Sequence, residues 1–75
     1  MSGDELESRS LRGLKIRAAR KAKLWTQWDL ADELNEAAGT PFYWRASRVS
    51  EVERLKRRVQ PDEVELFERV LGIDL

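Results

Sequence analysis

The sequence predicts an all-α fold of about four short helices, and three observations carry that prediction. Apolar residues recur at spacings of three and four in four separate runs. No segment keeps a period of two long enough to read as a strand. The runs are punctuated by residues that stop and start helices: Thr26, Gly39-Thr40-Pro41, Gln60-Pro61 and Gly72. At 75 residues the chain is expected to hold one domain, residues 11–75, behind a polar, acidic and flexible segment, residues 1–10.

The first helix starts from Leu11, where Leu11, Leu14, Ala18 and Ala22, with Ile16 and Ala19, form the apolar pattern, and it ends near Lys23. Basic residues in its last turn complement the helix dipole. Thr26 and Asp29 stand at capping-box spacing with Asp in place of Glu, opening a second helix whose apolar stripe is Leu30, Ala31, Leu34 and Ala37. Gly39 suits the residue after a helix, Thr40 an N-cap and Pro41 the first helical position, so a third helix is expected over 41–57. Gln60-Pro61-Asp62-Glu63 opens a fourth helix, with Val64, Phe67, Val70 and Leu71 as its stripe and Gly72 as its stop.

Composition removes several function classes. The chain has no Cys and no His, which excludes disulfides, the usual zinc sites and the common nucleophile–base pairs. Gly-rich phosphate loops are absent too. The expectation is a non-enzyme with no catalytic residue, no metal, no cofactor and no small-molecule substrate. No apolar run approaches the roughly 20 residues of a membrane span and no signal-peptide pattern opens the chain, so a cytoplasmic protein without a membrane partner is expected.

Net charge is zero, yet the charges are segregated. Residues 9–23 carry seven basic side chains and no acid, and residues 45–58 carry six basic side chains against Glu51 and Glu53. Acids dominate residues 29–36 and 62–74. Two basic segments brought to one side would suit a polyanion; apart, they would be ordinary solvated helix surface.

With the helices placed, "IRAARKAKLWTQWDLADEL" (16–34) resembles the first two helices of lambda-repressor-like helix-turn-helix regulators, of the phage Cro/CI and xenobiotic-response-element type. The resemblance rests on Ile16-Arg17, Ala19, Arg20, Trp25-Thr26-Gln27, Leu30-Ala31 and Leu34. Farther on, "RVSEVERLKRRVQP" is similar to that family's recognition helix through Val49, Ser50, Val52, Glu53 and Arg54. Leu24 and Leu55 stand where the family usually has Gly, which implies turns built differently. Asn35 stands at a third Gly position, where Asn tolerates left-handed geometry. Between Leu34 and Val49 the chain has eight residues more than the family pattern, close to two helical turns of about 3.6 residues. One extra turn on the second helix, through Ala38, and one at the start of the third, 41–44, would absorb them. The rival is a loop over 35–46.

The resemblance implies a sequence-specific regulator of transcription, a small Cro-type phage repressor without a fifth helix. It would act in the bacterial nucleoid or an infected host cell. Its partner would be a two-fold symmetric double-stranded DNA operator bound by a homodimer, with helix 41–57 in the major groove. On a helical wheel, Phe42, Ala46, Val52 and Glu53 cluster about Val49 as the inward face, with Arg45 on the same side. Tyr43, Trp44, Ser47, Glu51 and Arg54 point outward, with Arg48 and Ser50 at the edges. Base-reading candidates are therefore Tyr43, Trp44, Ser47, Arg48, Ser50 and Glu51. Phosphate-binding candidates are Gln27, at a helix start, and the basic Arg54, Lys56, Arg57 and Arg58. Trp44 could instead clamp the lengthened turn to Trp28, Arg48 could hold a phosphate, and Glu51 could pair with Arg48 or Arg54. Arg20 and Glu53 match a family pair that ties the first helix to the third. The stripe Phe67, Val70, Leu71 and Ile73–Leu75 is either the dimer interface or the closure of the monomer core. The rival function is a protein-interaction module, an antitoxin or adaptor whose exposed aromatics bind a protein.

Overall fold

The computed structural model describes residues 3–75, with side chains from residue 11 onward. Four helices follow in order: α1 (Gly3–Ala22), α2 (Gln27–Ala38), α3 (Ala46–Glu53) and α4 (Pro61–Leu71). The described residues contain no strand, so the all-α expectation holds. α2 packs on α3 and α4, and α1 crosses the same pair. Ile16, Leu30, Leu34, Val49, Val52 and Phe67 fill the centre, each less than 2 % exposed. Burying a side chain of this size stabilises by about 1.5–3 kcal/mol.

α1 departs from expectation twice. Its backbone is helical from Gly3, earlier than the start expected at Leu11. The buried face also differs. Leu11, Leu14, Ala18 and Ala22 face solvent, whereas Gly13, Ile16 and Arg20 are buried. A Cβ on Gly13 would stand 2.1 Å from the carbonyl oxygen of Val52, so α1 touches the end of α3 at a residue without a side chain. That close approach selects the Gly13 side of the helix and turns the Leu11–Leu14 side outward.

All four helices end on a left-handed residue. Gly39 and Gly72 do so at φ 71° and 70°, as expected of Gly. Leu24 and Leu55 adopt φ 60° and 61°, the geometry that Gly would supply. The expectation of differently built turns is thereby corrected. Leu24 N–H donates to the Lys21 carbonyl and Trp25 N–H to that of Arg20. Leu55 N–H donates to Val52 and Lys56 N–H to Glu51, so both turns are Schellman closures made with leucine. Left-handed geometry costs a side-chain-bearing residue roughly 1–2 kcal/mol. Asn35, at the family's third Gly position, is ordinary helix, as the extra turn of α2 through Ala38 requires.

The matched pair Arg20–Glu53 joins α1 to α3. Arg20 Nε donates to Glu53 Oε2 at 2.7 Å and Nη2 to Oε1 at 2.9 Å, while Nη1 caps the Trp25 carbonyl at 2.7 Å. Gln27 Nε2 adds a fourth donor, 3.2 Å from Glu53 Oε1. Both charged groups are buried. The hydrogen bond to Glu53 raises the Arg20 pKa further, against the opposing effect of burial.

Two outcomes follow for stability. Leu24→Gly removes the left-handed strain at a side chain that is 91 % exposed, and should raise stability by about 0.5–1 kcal/mol in urea denaturation. Arg20→Met strands the Glu53 carboxylate and should lower stability by about 3–5 kcal/mol, most of it recovered in the double variant with Glu53→Leu. A single variant no worse than the double would mean that the pair does not carry the α1–α3 contact.

Candidate nucleic-acid interface

α3 is eight residues long, Ala46–Glu53, and not the rod over 41–57 that the sequence suggested. The second helix does gain its extra turn, ending at Ala38. The third does not. Residues 39–45 leave α2 at Gly39 and run as an irregular connection to Arg45, which is extended at φ −137°, ψ 161°. Asn35 supplies the physical reason. Its Oδ1 accepts from Trp44 N–H at 2.8 Å and its Nδ2 donates to the Trp44 carbonyl at 2.9 Å. The Thr40 hydroxyl also donates to Oδ1, at 3.3 Å, so Thr40 serves this clamp instead of an N-cap. With both its peptide groups held by α2, Trp44 cannot join a helix. Its indole enters the core, 3 % exposed, edge-on to Phe67 with centroids 5.1 Å apart.

Trp44 is therefore withdrawn as a base reader, and as a clamp its ring packs on α4 through Phe67. Phe42, expected in the core, is 78 % exposed. Tyr43 lies between. Its ring meets Trp44 at 5.3 Å and its hydroxyl donates to Glu63 Oε2 at 3.3 Å while accepting from Arg57 Nη2 at 3.1 Å. That hydroxyl is spent on the protein's own α4.

Arg57 is the second correction. Its Nη1 and Nη2 donate to Glu63 Oε1 and Oε2 at 2.9 and 3.0 Å, and its guanidinium lies 5.5 Å from the Trp44 ring centroid. An arginine held this way braces the α3–α4 connection, and its expected phosphate contact is replaced by Glu63. Burial pushes the Glu63 carboxyl up, but the Arg57 guanidinium, the Gln60 N–H and the Tyr43 hydroxyl outweigh it and hold the pKa below its ordinary 4.5.

The remaining candidates fall on one surface. Val49, Val52 and Glu53 point inward as the wheel required, and Ser47, Glu51 and Arg54 form an exposed stripe at spacings of four and three. Arg48 and Ser50 flank it, half-buried. The Arg48 guanidinium lies 4.4 Å from the Tyr43 ring centroid, which holds its position beside the stripe. Lys56 and Arg58 are exposed beyond the end of α3. Arg45 was placed inward by a wheel that assumed helix there; outside the helix it is exposed at the N-cap. Gln27 is half-buried, its amide nitrogen committed to Glu53.

The surface thus offers two hydroxyls, a carboxylate and five guanidinium or ammonium groups along and around one short helix. That set can hydrogen-bond base edges and neutralise phosphates. Among the described residues no group of acids, Cys or His could hold a metal ion, and no described helix is long and apolar enough to cross a membrane. A scan against protein-family models finds no match for this chain, and searches of curated proteins and of solved structures find none either.

The Tyr43–Arg57–Glu63 network makes a pH prediction. A carboxylate with a lowered pKa in the folded chain contributes stability that is complete above its unfolded value and is lost as pH falls through the folded one. Thermal stability should therefore drop below about pH 4.5, more steeply in the native chain than in Glu63→Gln, with melts from pH 7 to 2.5 as the readout. Parallel curves for the two proteins would remove Glu63 from the acid transition.

Proposed function

We propose that the protein is a sequence-specific double-stranded DNA-binding regulator of the helix-turn-helix, Cro-type repressor class, acting through α3. The observation that carries this reading is the division of α3 into two faces. Val49, Val52 and Glu53 anchor it to the core, and Ser47, Glu51 and Arg54 stand free on the other side between Arg45 and the pair Lys56 and Arg58. A short helix fixed by its back, with polar side chains forward and cations at both ends, suits entry into a major groove between two phosphate strands.

In this reading Ser47 and Glu51 face base edges, with Arg48 and Ser50 beside them. Arg45, Arg54, Lys56 and Arg58 face phosphates. Trp44 and Arg57 hold the helix in place. A module of this size buries about 600–1,000 Å² on DNA, too little for tight specific binding alone, so a homodimer on a two-fold operator is part of the proposal. Phe67 and Leu71 are consumed by the monomer core. A dimer contact through the C-terminal region would therefore draw on the half-buried Leu66, Val70, Ile73 and Leu75.

Affinity for duplex DNA, measured from about 50 to 200 mM salt, should fall with a log–log slope of several units. Arg54→Ala and Arg58→Ala should each reduce that slope by about one and weaken all sequences alike. Ser47→Ala should change which sequence is preferred. Absence of duplex binding at low salt would overturn the proposal in favour of a protein-interaction module.

A further inference from the structure

Two large apolar side chains near the start of α3 are held in water: Trp28 at 68 % exposure and Phe42 at 78 %. Neither is on loose chain. Trp28 lies in the first turn of α2, whose capping box is complete, with Thr26 Oγ1 accepting from Asp29 N–H and Asp29 Oδ2 accepting from Thr26 N–H. Phe42 lies two residues before Trp44, which is fixed by its buried indole and by both bonds to Asn35. Between them runs a groove of about 560 Å³ that Asp32, Arg45 and Ser47 also line. The groove is therefore continuous with the Ser47–Glu51–Arg54 stripe.

We propose that the α2–α3 connection is a second reading element for duplex DNA, and that the groove between Trp28 and Phe42 receives the C5-methyl edge of a thymine next to the base pairs faced by Ser47. This rests on the reading of α3 as the groove-binding helix. Asp32 narrows the choice of occupant. Its carboxylate repels a phosphate, so the backbone does not seat between the two aromatic rings. The thymine methyl is the apolar group that base pairs display in the major groove, and phenylalanine is among the side chains that meet it. Arg45, on the groove's α3 side, is free to hold the phosphate that flanks that base. The extra residues between α2 and α3 thereby extend the footprint by a contact that α3 alone does not reach.

The test uses the full chain and duplexes it selects from a random pool. Each thymine of the selected sequence is replaced in turn by deoxyuridine, which lacks only the C5-methyl. At one position flanking the α3 footprint the native chain should bind about fourfold more weakly to uracil than to thymine. Phe42→Ala and Trp28→Ala should bind thymine there as weakly as the native chain binds uracil, and should no longer distinguish the two. Both side chains are mostly exposed, so the variants should keep their helical circular dichroism and urea midpoint. If both variants distinguish thymine from uracil at every position as the native chain does, or if no thymine is selected beside the footprint, the second reading element is overturned and the role of α3 stands. If the native chain selects no sequence, the α3 reading falls and this one with it.

Discussion

The arrangement of the first three helices depends on the guanidinium of Arg20. From the interior of α1 it reaches α3 through both oxygens of Glu53 and the α1–α2 turn through the Trp25 carbonyl. Gln27, at the start of α2, completes the carboxylate's partners. A buried ion pair returns little net stability, because desolvating both charges offsets their attraction. Its value here is angular. A bidentate fork has one good orientation, and departures from it leave a buried charge unpaired. With α1 crossing α3 at Gly13 and gripping it at Glu53, the back of α3 is fixed at its C-terminal half, and its polar stripe is turned outward as a consequence.

The other end of α3 is set by a different means. Asn35 of α2 holds the peptide groups of Trp44, and the indole then occupies the core against Phe67. Burying so large a side chain, worth about 3–5 kcal/mol on truncation, dominates the local helix preference of 41–44. The same anchoring draws in Tyr43, Arg57 and Glu63, so a cation that the linear pattern offers to phosphate becomes part of the frame. The cluster of three adjacent aromatics has therefore divided its work. Trp44 faces the core, Tyr43 bridges to α4 and supports Arg48, and Phe42 remains in water beside Trp28.

Local chemistry was legible wherever one residue type does one thing. Thr26 with Asp29, Gly39, Pro61 and Gly72 mark real helix ends, because capping and left-handed closure involve neighbours only. The inward set Val49, Val52 and Glu53 followed from 3.6-residue periodicity. Leu24 and Leu55 were misjudged because a closure of this kind can be made with leucine when the surrounding packing bears the strain. Phe42, Trp44 and Arg45 were misplaced for one shared reason. A helical wheel assumes helix, and the hydrogen bonds that end it at 46 come from Asn35, nine residues before Trp44.

The amino-acid order by itself determined the all-α class, the helix ends marked by Thr26, Gly39, Pro61 and Gly72, and which side of α3 is apolar, since all of these arise from contacts within one or two turns. Only the tertiary structure decided which face of α1 is buried, where α3 begins, and which cations are free. Those outcomes are competitions between distant groups: Gly13 against Val52, Asn35 against the helix start, Glu63 against solvent for Arg57. A guanidinium exposed in the linear pattern stays exposed only if no buried carboxylate lies within reach, and reach is a property of the fold.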